Sequence, residues 1–360
     1  MTMITIVFAY LCIILAFSFN ISIFLSQIKR LYKLSNKESF YSVISAIIVL
    51  LLSLLLFFYF GLIAKPPNDI VIILIVGILF SFFIIYNLIA RLYFKFFKKQ
   101  SGNQTNNKQT SLQSKNSNYE LLRKSFHFLI FFGIIAYIFI LLSILNYMYA
   151  NTSNPNIFKL IDNYWGPNAP INNYTDMQQI SPSGIALLTF FIIAAGLMMM
   201  NEASRLNSKI YFPLSSAAKL FLREKEYLTF ASYLYFVIGM IFSSLLLTIF
   251  PILAILATLS FGDSSYALIG KRFGKHKIPF NSIKSIEGSI GGFLVTLIST
   301  SIFVGILYGL VAAIIFTIID VITPRIPMCD NIMGPIFITL GFCALGLVGL
   351  PLGGLTILFI

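Results

Sequence analysis

The sequence predicts an all-α fold: a polytopic transmembrane helical bundle of about ten spans, with the N-terminus outside. Of the 360 residues, 58% are hydrophobic and only 10% are charged, whereas soluble domains are typically about 45–50% apolar and about 25% charged. Apolar runs long enough to cross a bilayer recur along the chain. Lys and Arg are concentrated in alternate polar segments between these runs, which is typical of multi-pass membrane proteins.

The first apolar run, residues 4–26, has no basic region before it and is too long for a cleavable signal, so we predict a true span. Residues 289–319 would form a helix of about 45 Å at 1.5 Å per residue, longer than the roughly 30 Å hydrocarbon core. We therefore split this stretch near Gly305 and Gly309. An apolar hairpin or partial span should follow the last full span. The predicted spans are 4–26, 40–64, 70–93, 125–149, 183–200, 228–248, 250–262, 289–307, 309–322 and 334–350.

Charge predicts the orientation of these spans. With this assignment, 23 of the 25 Lys and Arg residues fall on one side, and only Lys65 and Lys159 fall on the other. Positively charged loops remain in the cytoplasm, which places the N-terminus outside. The same rule accounts for the net charge of +13, so the sequence predicts a lipid-bilayer partner and no nucleic acid.

The chain divides into three regions. Residues 1–97 form a three-span N-terminal unit of unknown role, and residues 98–119 form a polar, low-complexity cytoplasmic linker that is predicted to be disordered. Residues 120–360 form a membrane domain that contains the candidate site. Its external loop, residues 150–182, carries glycosylation sequons at Asn151 and Asn173, and whether either is modified stays open. The three cysteines fit no disulfide or metal pattern and are predicted to be buried free thiols.

Residues 262–289 hold the densest charge cluster of the chain. Asp263 ends an apolar run, where a carboxylate is a natural ligand for Mg²⁺ (or Mn²⁺), and Ser264 can add a hydroxyl. Two glycines, Gly270 and Gly274, would let the backbone approach an anion closely. The following cations would bind phosphate groups: Lys271, Arg272, Lys275 and Lys284.

We expect a second helix to begin near residues 279–282, with Lys284 in its first turn and Glu287 one turn further on. The alternative is a plain basic loop that contacts anionic lipid headgroups. That alternative explains the lysines but not Asp263, Glu287 or the glycines. Motifs of P-loop, dinucleotide-binding and zinc sites are absent from the sequence.

Two further groups are candidates. Arg123, Lys124 and His127 share one helix face, and a histidine just inside a span is costly unless it faces a polar cavity. The alternative is a positively charged anchor beside a chance histidine. Glu202 and Arg205 stand at the inner end of a span, and the alternative for them is an ordinary ion pair on a solvated helix face.

These motifs resemble those of the CTP-dependent polyprenol kinases, a family that includes dolichol, phytol and farnesol kinases and the yeast-type diacylglycerol kinase. Residues 262–275 are similar to the family block G-D-x-x-A-x-x-x-G-[KR]-x-[FY]-G, and residues 284–289 to its K-[ST]-x-E-G-[ST] block. Arg123-Lys124 with His127 resembles R-K-x-x-H, and Glu202 with Arg205 resembles E-x-x-R. Asp330-Asn331 resembles a C-terminal D-N pair. Two departures are Asp320, where a glutamate is expected, and a missing hydroxyl in residues 332–335.

The resemblance implies phosphorylation of a membrane lipid alcohol, such as dolichol, by CTP with Mg²⁺ at the cytoplasmic face. It implies metal binding by Asp263 and Asp330, and catalytic roles for Lys284, Glu287 and either His127 or Glu202 as the base. A homodimer is compatible with the sequence. The rival functions are a phosphatidate-type cytidylyltransferase and a non-enzymatic lipid transporter or binding protein. The implied CTP-binding residues are Gly262, Ser264, Gly270, Lys271, Arg272, Gly274, Lys275, Ser285, Gly288, Arg123, Lys124, Arg205 and Asn331.

Overall fold

The computed structural model describes parts of residues 14–32, residues 37–63, most of 125–140, residues 182–206, 222, 226, 228–323 and 329–353. Several predictions lie outside these residues: the span at 70–93, the linker at 98–119, the external loop with its two sequons, and Arg123 with Lys124. The described part of the chain is mostly helical.

Eight helices and one β-hairpin make up the regular structure that we label. The hairpin consists of β1 (Lys277–Ile278) and β2 (Asn281–Ser285), which pair antiparallel. The helices are α1 (Lys37–Ile63), α2 (His127–Ile138), α3 (Pro182–Leu206), α4 (Ser232–Leu246), α5 (Ile249–Phe273), α6 (Ile286–Val304), α7 (Ile306–Ile322) and α8 (Asp330–Leu347).

Within the described residues, four helical segments are long and apolar enough to cross a membrane: Lys37–Leu56 of α1, and the whole of α5, α6 and α8. On α6, four aliphatic side chains spaced four residues apart are about half exposed or more, namely Ile290, Leu294, Ile298 and Ile302. Such a row lies on one helix face, and an exposed apolar face of this kind fits a lipid environment. The coarse prediction of a helical membrane protein is therefore supported, while the count of ten spans and the outside N-terminus stay predictions.

The predicted break in residues 289–319 is confirmed. Helix α6 ends at Val304 and α7 begins at Ile306, because Gly305 between them has a φ of 85°. This left-handed conformation is accessible to glycine at little cost. The carbonyl of Val304 accepts a hydrogen bond from the Gly353 amide at 2.9 Å, which ties the chain after α8 to the break.

Helix α4 is the core of the described bundle. Fourteen of its 15 residues are buried, and it contacts α1, α3 and α8. A helix that is apolar on every side must be surrounded by other elements. Helix α8 packs closely against it, because Gly239 leaves room for the ring of Pro335.

The prediction of a helix beginning at residues 279–282 is wrong, and the fold is not entirely α. Asn281 donates from Nδ2 to the carbonyl of Val321 in α7 at 2.8 Å. Its Oδ1 accepts from the amides of Ile283 and Lys284. These bonds hold the segment as strand β2, so the next helix begins only at Ile286, with Ser285 as its N-cap.

The contact between α4 and α8 generates a stability prediction. A Cβ atom at Gly239 would lie 2.8 Å from Pro335 Cγ, so Gly239→Ala should lower the free energy of unfolding by about 1–3 kcal/mol through overpacking. The matched control is Gly133→Ala in α2, where nothing lies within 4 Å of the new Cβ. Thermal unfolding in detergent should separate the two variants, and equal midpoints would contradict this account of the α4–α8 contact.

Candidate active site

A buried ion pair joins the hairpin to α7. Strand β2 directs Lys284 so that its Nζ donates to Asp320 Oδ1. The Asp320 side chain is 2% exposed and the Lys284 side chain 26%. The bond from Asn281 to Val321 lies one residue from Asp320 and holds the strand beside α7. Backbone and side chain together therefore fix where the ammonium group sits.

Two more carboxylates act on the same ammonium group. Burial by itself lowers the pKa of Lys284, but the attraction and hydrogen bond of Asp320 outweigh it, and Asp330 and Asp263 add to the effect. The net result is a pKa above the ordinary lysine value, so Lys284 stays protonated at neutral pH. Three carboxylates and one ammonium group leave this cluster with a formal charge of −2 when all are ionised. We call Asp263, Lys284, Asp320 and Asp330 the acidic cluster.

Oxygen atoms in and beside the acidic cluster are of the hard kind that binds Mg²⁺ or Mn²⁺. Asp320 Oδ2 and Ser264 Oγ are buried and have no hydrogen-bond partner in the described part of the chain. Within the same residues, no group of three or more His, Cys, Asp or Glu side chains could hold a metal ion by itself. Mg²⁺ is commonly bound by one or two carboxylates and completes its shell with phosphate oxygens and water. Mn²⁺ accepts the same hard oxygen ligands.

A π-helical turn sets the position of Asp263. Helix α5 contains the π turn Thr258–Gly262 directly before Asp263, a local irregularity that is frequent at functional sites. Ser260 in this turn donates to the backbone carbonyl of His127 at 3.0 Å. His127 Nδ1 lies 3.9 Å from Asp263 Oδ2, and both side chains are buried. Two residues that were predicted for the site from separate motifs therefore lie side by side.

The predicted phosphate-binding glycines have a packing role in the structure. A Cβ atom at Gly288 would lie 2.8 Å from Gly270 Cα and 3.0 Å from the Tyr266 carbonyl oxygen. Gly274 lies against the Ser285 side chain, and Gly262 lies against Thr296. These glycines let α5 and α6 approach each other closely, while their role in binding phosphate stays a prediction.

The remaining charges of residues 262–289 lie toward the outside. Lys271, Arg272 and Lys275 are exposed around the end of α5, and the Arg272 guanidinium lies 5.5 Å from the centroid of the Phe273 ring. Glu287 accepts a hydrogen bond from the backbone amide of His276 at 3.1 Å, and its Oε1 lies 2.6 Å from His276 Nδ1. Glu287 thus fastens the hairpin to α6, and its predicted catalytic role is not tested by these contacts.

Glu202 and Arg205 form a buried clamp, so a solvated surface pair is the wrong alternative for them. Glu202 is 0% exposed and accepts from Arg205, from the Tyr233 hydroxyl and from the Ala231 amide. Arg205 also donates to the carbonyls of Glu226 and Thr229. The clamp therefore attaches α3 to the segment that leads into α4.

The Asp330-Asn331 pair opens α8 beside α4. Asp330 Oδ1 accepts from the Asn331 amide at 2.9 Å, and Asn331 Nδ2 donates to the Ser232 carbonyl at 3.4 Å. Asn331 is 3% exposed. The asparagine thus anchors the first turn of α8 to the first residue of α4, and Asp330 is held where it can act on Lys284.

Asp320 is the functional candidate that the sequence-based assignment left without a role. It stands ten residues before Asp330 in the sequence, and an ionisable residue inside an apolar helix is itself an indicator of function. Only the structure shows that its partner is Lys284. Comparison of the chain with protein-family models, with curated proteins and with solved structures finds no match in any of the three.

The Lys284–Asp320 pair generates the first prediction from the site. Lys284→Met should lower the free energy of unfolding by about 3 kcal/mol, because it leaves Asp320 buried without its cation. The double variant Lys284→Met/Asp320→Leu removes both charges and should recover most of that loss. Thermal unfolding measures both effects. A double variant no more stable than Lys284→Met would show that the charge pair is not the source of the loss.

The clamp and the acidic cluster should respond differently to neutralisation. Glu202→Gln weakens hydrogen bonds to a charged acceptor, each of which contributes about 1.5–3 kcal/mol, and should lower thermal stability. Asp263→Asn removes one of three mutually repelling carboxylates and should leave stability unchanged or raised. The two amides are matched in size to the acids they replace. A greater loss of stability in Asp263→Asn than in Glu202→Gln would contradict this division into clamp and site.

Proposed function

We propose that the protein is a CTP-dependent kinase that phosphorylates a membrane lipid alcohol, dolichol or another polyprenol. The observation that supports this most is the ion pair between Lys284 and Asp320, with a buried histidine 3.9 Å from Asp263 and with Asp263 and Asp330 adding to the attraction on the lysine. Phosphoryl transfer depends mainly on positioning and on electrostatic stabilisation of phosphate oxygens. A cluster whose formal charge is −2 when all four groups are ionised suits a phosphate-bound cation.

In this proposal Asp263 and Asp330 hold Mg²⁺, and Ser264 is close enough in sequence to contribute its hydroxyl. The bound ion would neutralise charge on the phosphates of CTP. Lys284, whose ammonium group is held by Asp320, binds a phosphate oxygen on the open side of the cluster. The choice of CTP rests on the resemblance of residues 262–289 to the polyprenol kinases.

The more exposed cations would bind the nucleotide from outside the cluster. Lys271, Arg272 and Lys275 lie where the end of α5 meets the hairpin, and flexible side chains there can follow a triphosphate. Arg123 and Lys124 precede His127 in the sequence by four and three residues and would contribute to binding the same nucleotide. Arg205 has a buried structural role already, so its contribution to CTP binding would be indirect.

The proposed reaction transfers the γ-phosphoryl group. The lipid hydroxyl oxygen forms a bond to the γ-phosphorus, the bond from that phosphorus to the β–γ bridging oxygen breaks, and CDP leaves. His127 takes the hydroxyl proton, and the Asp263 carboxylate stabilises the imidazolium that results. His127 is a better candidate for the base than Glu202, since both Glu202 oxygens already accept hydrogen bonds.

The finer topology belongs to the same proposal. Ten spans with the N-terminus outside would place the acidic cluster and the hairpin at the cytoplasmic face, where CTP is supplied. The lipid hydroxyl would reach the site from the bilayer, between helices. The aliphatic row on α6 is compatible with a lipid boundary close to the hairpin.

The test is to incubate the purified protein with Mg²⁺ and each of dolichol, phytol, diacylglycerol and phosphatidate, with CTP and separately with ATP. We expect CDP and a lipid phosphate from CTP with dolichol or another polyprenol. Pyrophosphate and a CDP-lipid, formed from phosphatidate, would instead identify a cytidylyltransferase. Lipid binding without nucleotide turnover would favour a transporter or binding protein.

Variants link the turnover to the acidic cluster. Asp263→Asn and Lys284→Ala should reduce CTP turnover by at least about 100-fold, as expected for groups that stabilise transferring phosphates. Lys277→Ala is the matched control for Lys284→Ala, because Lys277 is an exposed lysine of the same hairpin. Full activity in both cluster variants would reject this site.

A further inference from the structure

Helix α1 connects the N-terminal unit, which the sequence leaves without a role, to the acidic cluster. It packs against α4 and contacts α8. Ser42, in its second turn, is 1% exposed. The Ser42 hydroxyl donates to the Glu38 carbonyl at 2.7 Å and accepts from the Cys329 amide at 2.9 Å. The Ser42 hydroxyl proton is used within α1, so the hydroxyl oxygen accepts the hydrogen bond from the Cys329 amide.

The bond to Cys329 holds the residue from which α8 begins. Cys329 is the N-cap of α8, and its carbonyl accepts from the amides of Ile332 and Met333. Asp330 follows directly, so the position of its carboxylate depends on the Cys329 backbone. The Cys329 side chain offers no cap to the helix. The hydrogen bond from Ser42, 287 residues away, therefore helps to fix the backbone next to a residue of the acidic cluster, alongside the bond from Asn331 to Ser232.

Repulsion within the acidic cluster explains why the Ser42–Cys329 hydrogen bond would matter for the site. Asp330 shares the surroundings of Lys284 with Asp263 and Asp320, and like charges in a poorly solvated site repel one another. An acid at a helix terminus can relieve that repulsion by shifting outward with its turn. The Ser42 bond opposes such a shift and keeps Asp330 close to its neighbours.

We propose that Ser42 is a positioning residue that holds Asp330 in place for the Mg²⁺–nucleotide complex, and that the N-terminal unit is thereby part of the active site. The inference rests on the proposed function, which supplies the metal and the nucleotide. Groups that orient a metal ligand from behind typically change metal affinity by about 10–100-fold when they are removed.

Loss of the hydroxyl should affect metal binding more than stability. Ser42, Glu38, Glu226 and Cys329 line a small polar cavity. In Ser42→Ala, water in these polar surroundings can accept from the Cys329 amide in place of the hydroxyl. The amide is then satisfied, but the bond from α1 that holds the backbone before Asp330 is lost.

The experiment compares four full-length proteins: wild type, Ser42→Ala, Ser42→Thr, which keeps a hydroxyl, and Ser45→Ala. Ser45 is the matched control, since its hydroxyl bonds to carbonyls of α1. In Ser42→Ala, the Mg²⁺ concentration for half-maximal CTP turnover should rise about tenfold, with kcat at saturating Mg²⁺ changed less than about twofold. Ser42→Thr and Ser45→Ala should behave like the wild type.

A second measurement does not depend on activity. Maleimide alkylation of Cys329, followed by peptide mass spectrometry, should be faster in Ser42→Ala than in the other three proteins, because the turn before α8 is freed.

An active wild type with the same Mg²⁺ dependence and Cys329 alkylation as Ser42→Ala would overturn the inference alone. A uniform loss of kcat with a lowered unfolding temperature would overturn it in favour of a purely structural serine. No CTP turnover in the wild type would overturn the proposed function, while the alkylation rates would still decide whether Ser42 holds Cys329.

Discussion

The ion pair between Lys284 and Asp320 is the interaction on which the rest of the site depends. It brings opposite charges together among apolar helices, where an unpaired charge would be strongly unfavourable. Forming this ion pair requires strand β2 at a place where the local sequence would also allow a helix. A hydrogen bond from Asn281 to the Val321 carbonyl of α7 holds that strand. The ion pair also provides a positive charge that Asp263 and Asp330 attract. Without Lys284, three acids would face one another in a poorly solvated region.

The same pair leaves the site electrostatically incomplete. Its formal charge is −2 when all four groups are ionised, which favours a divalent cation. The buried oxygens of Asp320 and Ser264 that lack protein partners among the described residues are suitable for a polar ligand. Preorganised groups of this kind act strongly because they need not reorganise when charge develops. The supporting contacts come from every side of the bundle: Asn281 from the hairpin, Ser260 from the π turn and Asn331 from α8. Ser42 extends this support to a helix of the N-terminal unit.

Much of the architecture could be predicted because it depends on local properties. Apolar length predicted the helices, and the excessive length of residues 289–319 with a glycine at its centre predicted the break at Gly305. Features that depend on tertiary contacts could not be predicted. Residues 279–282 suit a helix start as well as a turn, and only the Asn281–Val321 bond favours the strand. Glu202 and Arg205 have the same spacing whether they are solvated or buried, and the partner of Asp320 lies in another element.

The site residues likewise divide into those that the sequence alone could predict and those whose role depends on tertiary contacts. Asp263 and His127 were assigned from separate motifs, and the structure places them 3.9 Å apart. The glycines of residues 262–288 were assigned to phosphate on chemical grounds, but a glycine that admits an anion and one that admits a neighbouring helix look alike in sequence. The structure supplies the packing reason for Gly270, Gly274 and Gly288.

The π turn at Thr258–Gly262 sets the rotation of the second half of α5 relative to the first. A π turn holds one more residue than an α turn, so it accommodates an extra residue without turning the residues that follow to another face. Each α-helical residue rotates the chain by about 100°. If the same residues were wound as a regular α-helix, Asp263 would therefore be rotated by about one such step and carried away from His127. The turn thus lets one continuous helix bury its apolar first half and still place the Asp263 carboxylate beside the imidazole.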